Sequence, residues 1–575
     1  MAGSTQISNG APPVNAAVGP PRRADERSKS DLWIFREGRR EVSGLAMVRD
    51  LTQRLASKSS LLDSFIEAGQ LESALADLNA PAAPAAAALT DALAVALCAG
   101  DQFHPAELQE LAAKINAPET LSISPPEGFT YYAVHPFDYV SVVDRIASQS
   151  EGFAVIGIRS IGTTLSAVTA AALNAKGRRA DRITIRPAGH PYARTVQFSA
   201  GQERWILEQV ARSAEFLVVD EGPGRSGSTF LSVVEGLMRS GVPQDRITAI
   251  GSRQFDPESL CAEDAAMRWR RVRFMSVPLS ASSRFHNFAY VGGGDWRAHS
   301  FADEKDWPES WTQMERLKFV SPDRRQLFKF EGMGPLGSEV RERAFVLAEA
   351  GFSPAVCDAG DGFLAYQKVE GRHLRTQDVS PSVLKQIARY CSFRVATFTH
   401  ARPHDTELAN MLAFNIQQEF GRELKFDPEL LISANAVLID GRMQPFEWIA
   451  SSEGAFLKTD AISHGDNHFF PGPCDIAWDL AGAIVEWDLS FEAAEFLLRN
   501  FKQLSGIDVA KKLHVYKLAY CVFRLGFCKM GASTVLGSRE ESRLENAYRW
   551  YRSQALKLLD TTVMNGNVPG ATLAT

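Results

Sequence analysis

The sequence has no cysteine framework, no apolar leader and no long hydrophobic run. Its seven cysteines, Cys98, Cys261, Cys357, Cys391, Cys474, Cys521 and Cys528, are scattered, and none forms a C-x-x-C pair. An odd, dispersed set predicts reduced thiols packed as small core residues, not a disulfide scaffold. The most apolar late stretch, Leu513 to Met530, carries Lys517, Arg524 and Lys529, which predicts a buried helix and no membrane partner. Met1 to Ser30 is rich in Gly, Pro, Ala, Ser and charge and lacks an h-region. A disordered tail and a cytoplasmic location are expected. The net charge of −6 supplies no electrostatic footprint for nucleic acid.

What is present is enough for several cores. At 575 residues two or three domains are expected, and the 45% hydrophobic and 23% charged content is that of a soluble globular chain. After a tail over residues 1–40, residues 41–125 have helical periodicity, as in Leu51 to Leu55 and Leu61 to Ile66, broken at Pro81-Ala-Ala-Pro84. Residues 126–295 change character. Strand candidates Phe153–Ile158, Arg182–Arg186, Phe216–Val219 and Ile247–Gly251 alternate with helical stretches Leu165–Asn174, Gln202–Ser213 and Thr229–Ser240. That alternation predicts an α/β domain with a parallel sheet. A polar, tryptophan-containing stretch at 296–320 is expected to link it to a second unit over 321–565, with a tail at 566–575.

The strongest constellation is Phe216-Leu-Val-Val-Asp220-Glu221-Gly-Pro-Gly-Arg-Ser226-Gly227-Ser228-Thr229. An apolar strand delivers two carboxylates to its C-terminal edge, where ligands bind in open α/β sheets. A glycine-rich turn and a helix start then let backbone N–H groups approach a phosphate. This resembles the phosphoribosyl-pyrophosphate (PRPP) signature of type I phosphoribosyltransferases, with a spacer of four residues, one longer than the usual pattern. The resemblance implies that Asp220 and Glu221 hold the ribose hydroxyls, with Mg²⁺ bound through the ribose. It also implies that Ser226, Gly227, Ser228 and Thr229 cradle the 5′-phosphate. Upstream, Val155-Ile-Gly-Ile-Arg159-Ser160-Ile-Gly162-Thr163 is again strand, polar turn, helix, and resembles the pyrophosphate loop of the same family. Arg159 would supply fixed charge there, with Ser160, Gly162 and Thr163 offering donors and close backbone approach. Arg186-Pro-Ala-Gly-His190-Pro-Tyr-Ala-Arg194 reads either as a loop covering the donor or as a structural turn.

The second unit resembles aminoglycoside-phosphotransferase-type kinases. Arg325 to Phe330 reads as a strand carrying Lys329, followed by a glycine-rich turn and a helix with Glu339 and Glu342 in its first turns. The resemblance pairs Lys329 with Glu342 over ATP phosphates. Asn435, the hairpin ending in Glu447-Trp448, and Asp479-Leu-Ala481 follow in the family's order, but Leu430 stands where the catalytic aspartate belongs. His404-Asp405 with Asn410 has the spacing of a catalytic loop in what reads as a helix. The cluster His464, Asp466, His468 reads as a divalent-metal site or as solvated loop residues. The unit is therefore either an atypical kinase using Asp460, Asp466 or Glu447, or a binding domain.

The expected fold is α/β: a type I phosphoribosyltransferase-like parallel-sheet domain followed by an α+β kinase-like domain, with a helical N-terminal segment. The expected activity is PRPP-dependent transfer to a small-molecule acceptor, using Mg²⁺ and ATP if the second unit is active. The alternatives are a small-molecule kinase with a regulatory first domain and a non-enzymatic nucleotide sensor. Acceptor, pathway and oligomeric state are not legible.

Overall fold

The structure is a computed structural model that describes residues 32–35, 38–57, 61–100, 104–146, 150, 152–190, 192–224, 226–252, 254–401, 406–433, 435–467, 469–564 and 571–574. Residues 1–31, Arg225, His404, Asp405 and His468 lie outside these, and the side chains of Asn435 and Asp466 are likewise outside the description.

Helices α1 (Gly44–Ser57), α2 (Leu61–Asp77), α3 (Ala83–Ala99) and α4 (Pro105–Ala113) open the chain, flanked by paired strands β1 (Arg40–Ser43) and β2 (Thr120–Ile123). Short helices α5 (Glu127–Tyr131) and α6 (Pro136–Val142) lead into the sheet. Its strands are β3 (Gly152–Ile158), β4 (Arg179–Ile185), β5 (Glu215–Val219), β6 (Ile247–Gly251) and β7 (Arg273–Ser276). All pairings are parallel, in the order β4-β3-β5-β6-β7. The sequence pattern anticipated four of these strands and missed β7, whose Arg273-Phe-Met-Ser276 is short and half-buried at the sheet edge.

Both faces of the sheet are apolar, as a covered parallel sheet requires. Phe153, Val155, Leu217 and Val219 pack with α1 to α4 and with α7 (Ile161–Ala175). Ala154, Ile156, Phe216 and Val218 pack with α8 (Ala200–Ala211) and α9 (Ser228–Arg239). Helix α7 begins four residues before its expected start at Leu165, because Ser160, at φ 104°, turns the strand directly into the helix. It is buried from Ile161 to Leu173, so the N-terminal helices form a further layer on the α/β domain. Arg182 of β4 ties that layer down: it donates to Glu72 of α2 at 2.9 and 3.0 Å and to Asp91 of α3 at 2.7 Å.

The second unit has an antiparallel sheet in the order β11-β12-β10-β9-β8. Its strands are β8 (Ala289–Tyr290), β9 (Lys318–Val320), β10 (Gln326–Phe330), β11 (Val356–Gly360) and β12 (Phe363–Gln367). Helix Gly334–Glu349 crosses it, and a largely helical lobe from Pro381 to Met564 follows. Three expected boundaries differ. The apolar run Leu32-Trp-Ile, placed in the tail, is buried in this lobe, where Asn415 accepts from the Trp33 N–H at 2.6 Å and donates to its carbonyl at 2.8 Å. The 296–320 stretch is no free linker, since Arg297 is buried and pairs with Glu540 at 2.9 Å. Ala571–Ala574 pairs as a strand with Glu423–Phe426. All seven cysteines are free, and among the described residues no helix is long and apolar enough to cross a membrane.

Replacing Arg182 by alanine strands the buried Glu72 carboxyl without its cation. The substitution should destabilise the α/β domain by about 3–5 kcal/mol, read as a lower urea midpoint by circular dichroism. An unchanged midpoint would show that this ion pair does not hold the helical layer.

Candidate functional site

Lateral travel of the chain reverses between β3 and β5, which leaves a crevice at the C-terminal ends of these neighbours. That is where open α/β sheets place their ligands. Asp220 and Glu221 leave β5 at this point. Their backbone is fixed: the Asp220 carbonyl accepts from Tyr139 at 2.6 Å, and the Glu221 carbonyl accepts from the Ser252 hydroxyl at 2.7 Å. Both residues are half-buried. Burial, then the neighbouring Glu221 charge, pushes the Asp220 carboxyl up to about 8.

The turn that follows leads into α9 at Ser228. Gly227 adopts φ 68°, and a Cβ there would meet Trp269 Nε1 at 2.5 Å and Leu260 at 2.8 Å, so only glycine fits. Ser226 and Ser228 share a hydroxyl contact at 3.0 Å, and Thr229 lies half-buried in the first turn of α9. In the first turn of α7 Gly162 sits against β5, where a Cβ would lie 2.6 Å from the Val219 carbonyl. Thr163 is fully buried, so its expected part in ligand contact gives way to a packing position in α7.

Arg159 is already occupied. It donates to Asp77 at the end of α2 at 2.9 Å, and Arg186 grips the same carboxylate at 2.6 and 3.1 Å. The Ser160 N–H donates to the Ser73 hydroxyl at 3.2 Å. The last turn of α2 thus places a carboxylate and a hydroxyl on groups suited to an anion, beside a cavity of about 140 Å³ lined by Gln70, Asp77, Ser160 and Arg186. Asp77 carries no sequence signal, because its partners are some eighty and more residues away.

In the second unit a cavity of about 530 Å³ lies between the antiparallel sheet and the helical lobe, with Trp296, Trp311 and Glu315 of the 296–320 stretch in its wall. Lys329 projects from β10 and pairs with Glu331 at 2.9 Å and with Asp460. The expected partner Glu342 is exposed instead. Helix Gly334–Glu349 turns Val340, Arg343, Ala344 and Leu347 inward, and 342 falls on the opposite face. Burial opposes ionisation of Asp460, but Lys329 and Lys318 outweigh it and hold the carboxyl well below its usual range. His464, 3.6 Å from Asp460, is driven well below the ordinary histidine range by burial, which outweighs the attraction of Asp460, and stays neutral.

A second group of charges adjoins the cleft, with Glu447, Lys458 and His464 in its lining. Asp440, Glu447 and His464 place ligand-type atoms within 4.8 Å of one another. The fully buried Lys458 ammonium lies 2.8 Å from Glu447 and 3.2 Å from Asp440. Burial would lower the lysine, but these two carboxylates outweigh it and keep it charged. Burial pushes Glu447 up to about 7 even so. Asp479 accepts from the backbone N–H groups of Asp440 and Gly441 at 2.9 and 3.0 Å and so braces this turn. Asn435 starts a short strand paired through Ala401, and Leu430 lies in a 3₁₀ turn. Glu331 and Lys458 were missed in the sequence, although Glu331 directly follows β10 and Lys458 is a lone charge closing the short strand Phe456–Lys458.

No protein-family model matches the chain, and no curated protein matches it. Among solved structures, the choline kinase LicA from Streptococcus pneumoniae aligns with 42% of this chain and 89% of its own, at 12% identity and a TM-score of 0.29. A choline kinase from Cryptosporidium parvum aligns with 44% of this chain and 90% of its own, at 11% identity and a TM-score of 0.30. An ethanolamine kinase from Plasmodium vivax aligns with 42% and 81%, at 11% and 0.29. TM-scores of this size carry no assignment for this chain.

The raised Asp220 carboxyl has a pH signature. The folded chain keeps a proton that the unfolded chain releases between 3.8 and about 8. The associated stability is therefore full below 3.8 and lost as pH rises through about 8. Asp220→Asn should flatten the fall of the thermal midpoint across that window. Parallel wild-type and variant profiles would mean that Asp220 ionises normally.

Proposed function

We propose that the first domain is a phosphoribosyltransferase-type site that takes PRPP at the β3–β5 crevice and transfers its ribose phosphate to a small-molecule acceptor. The observation that carries this reading is the meeting of Asp220, Glu221 and the Ser226–Thr229 turn at the switch point of a parallel sheet. Asp220 and Glu221 would accept hydrogen bonds from the ribose 2′- and 3′-hydroxyls. The N-terminus of α9, with Ser228 and Thr229, would receive the 5′-phosphate, where the helix dipole favours negative charge. In their charged form these adjacent carboxylates would suit Mg²⁺, whose contribution when bound is to neutralise the leaving pyrophosphate. Arg159 and Arg186 would face that pyrophosphate once Asp77 yields them. Such a reaction gains most from positioned charge around the departing group.

In this reading the second unit is a binding domain for a nucleotide or related phosphate ester. Lys318 and Lys329 line its cleft, and Leu430 offers no carboxylate for phosphoryl transfer. The Lys329–Asp460 pair in that cleft favours one other reading, a small-molecule kinase. It requires ATP turnover that Lys329→Ala abolishes and Asp220→Ala leaves intact.

Calorimetric titration of PRPP with Mg²⁺ should show binding by the wild-type chain and none by Asp220→Ala/Glu221→Ala. Absence of wild-type binding would sink the transferase reading. Pyrophosphate should bind several-fold more tightly to Asp77→Asn, which frees both arginines. Equal affinity would mean that Asp77 does not compete for the site.

A further inference from the structure

The donor set of Asp440, Glu447 and His464 has the composition of a divalent-cation site: two carboxylates and an imidazole whose ligand atoms cluster within 4.8 Å. The chain has put its own cation there. Lys458 reaches the cluster from the end of the short strand Phe456–Lys458, and its Nζ touches Glu447 at 2.8 Å and Asp440 at 3.2 Å, with the Thr459 carbonyl at 3.1 Å. Its side chain is wholly buried. Two hydrogen bonds, to Glu447 and to the Thr459 carbonyl, and the ion pair with Asp440 seat the lysine. The same Asp440 oxygen accepts from the Tyr390 hydroxyl at 2.5 Å, and Tyr390 accepts from Arg394 at 2.7 Å. His464 Nδ1 is buried with no hydrogen-bond partner, as a metal-ligand nitrogen would be if its ion had been replaced.

We propose that Lys458 takes the place of a divalent ion in the cleft of the second unit, and that this cleft holds an anionic phosphate ester directly on cationic side chains, without a metal. The ligand class rests on the reading of the cleft as a phosphate-ester site, whereas the role of Lys458 stands apart from it. Lys318 and Lys329 line the same cavity, and Arg442 and Arg524 lie on its wall, each over the Phe527 ring at 5.0 and 5.3 Å. A phosphate entering the cleft meets these charges. A second cation beside Lys458 would meet repulsion from an ammonium that has no water to screen it.

The test uses Mn²⁺ as the probe, read by electron paramagnetic resonance on the full chain carrying Asp220→Asn/Glu221→Gln, which silences the first site. With Lys458 present, no specific Mn²⁺ site is expected. Lys458→Met should create one Mn²⁺ site per chain, at least tenfold tighter than the Lys458-containing background, and Glu447→Gln added to it should remove that site. Lys458→Gln serves if the methionine variant does not fold. Mn²⁺ held by the Lys458-containing chain and lost on Asp440→Asn overturns the proposal. So does a folded Lys458 variant that gains no site. For the ligand, ATP affinity should agree within twofold in Mg²⁺ and in EDTA, and a tenfold loss in EDTA overturns metal-free binding. Failure of ATP to bind in either buffer counts against the cleft as a nucleotide site, while the manganese result still decides the role of Lys458.

Discussion

The two halves of this chain are joined by a backbone-to-backbone approach that only glycine permits. A Cβ on Gly332 would lie 2.9 Å from the Thr130 carbonyl, and the next residue, Met333, donates its N–H to the Phe129 carbonyl at 2.9 Å. Gly334 completes the contact: its N–H donates to Asp63 at 2.9 Å, and a Cβ there would meet Ile66 at 2.8 Å. The glycine turn after β10 is therefore a joint. Phe330, Met333 and Phe363 of the second unit accordingly pack in the same apolar cluster as the helical layer and one face of the parallel sheet. Because a core cannot be divided without exposing it, the two units fold against each other rather than swinging on a tether.

That joint places one short helix between the two sites. On one side of α5, Gly128 packs so closely that a Cβ would meet Ile161 at 2.5 Å and Glu221 Oε2 at 2.9 Å. On the other side Arg316 donates to the Thr130 carbonyl at 3.0 Å, and Tyr131 lines the cleft of the second unit. Helix α2 has the same double role, with Asp63 at its start held by the glycine turn and Asp77 at its end held by Arg159 and Arg186. The elements that close the crevice of the parallel sheet are the elements on which the second unit rests.

Charge burial follows one rule in both halves: each buried charge finds a partner within the chain. Arg182 is matched to Glu72 and Asp91, Arg297 to Glu540, and Lys458 to Asp440 and Glu447. Asp77 on Arg159 and Arg186 is the more exposed version of the same arrangement, and water screens it more. Lys458, with no exposed surface, has no such screening.

The sequence by itself determined the parallel-sheet domain and the carboxylate turn, because both are local. Alternating apolar runs made β3, β5 and β6 legible, and a strand ending in Asp220-Glu221 before a glycine turn needs no distant partner to take its shape. It also placed Lys329 on a strand, and the structure sets that strand against a cleft. It did not yield the partner of that lysine, because whether 342 faces in or out depends on which helical face the rest of the chain covers. Nor could it reveal Asp77 on the arginines, Lys458 in the carboxylate pair, or Trp33 seated on Asn415 nearly four hundred residues away. Those pairings are long-range. Only tertiary packing, which removes water and forces each buried charge to a neighbour, decided what the functional side chains face.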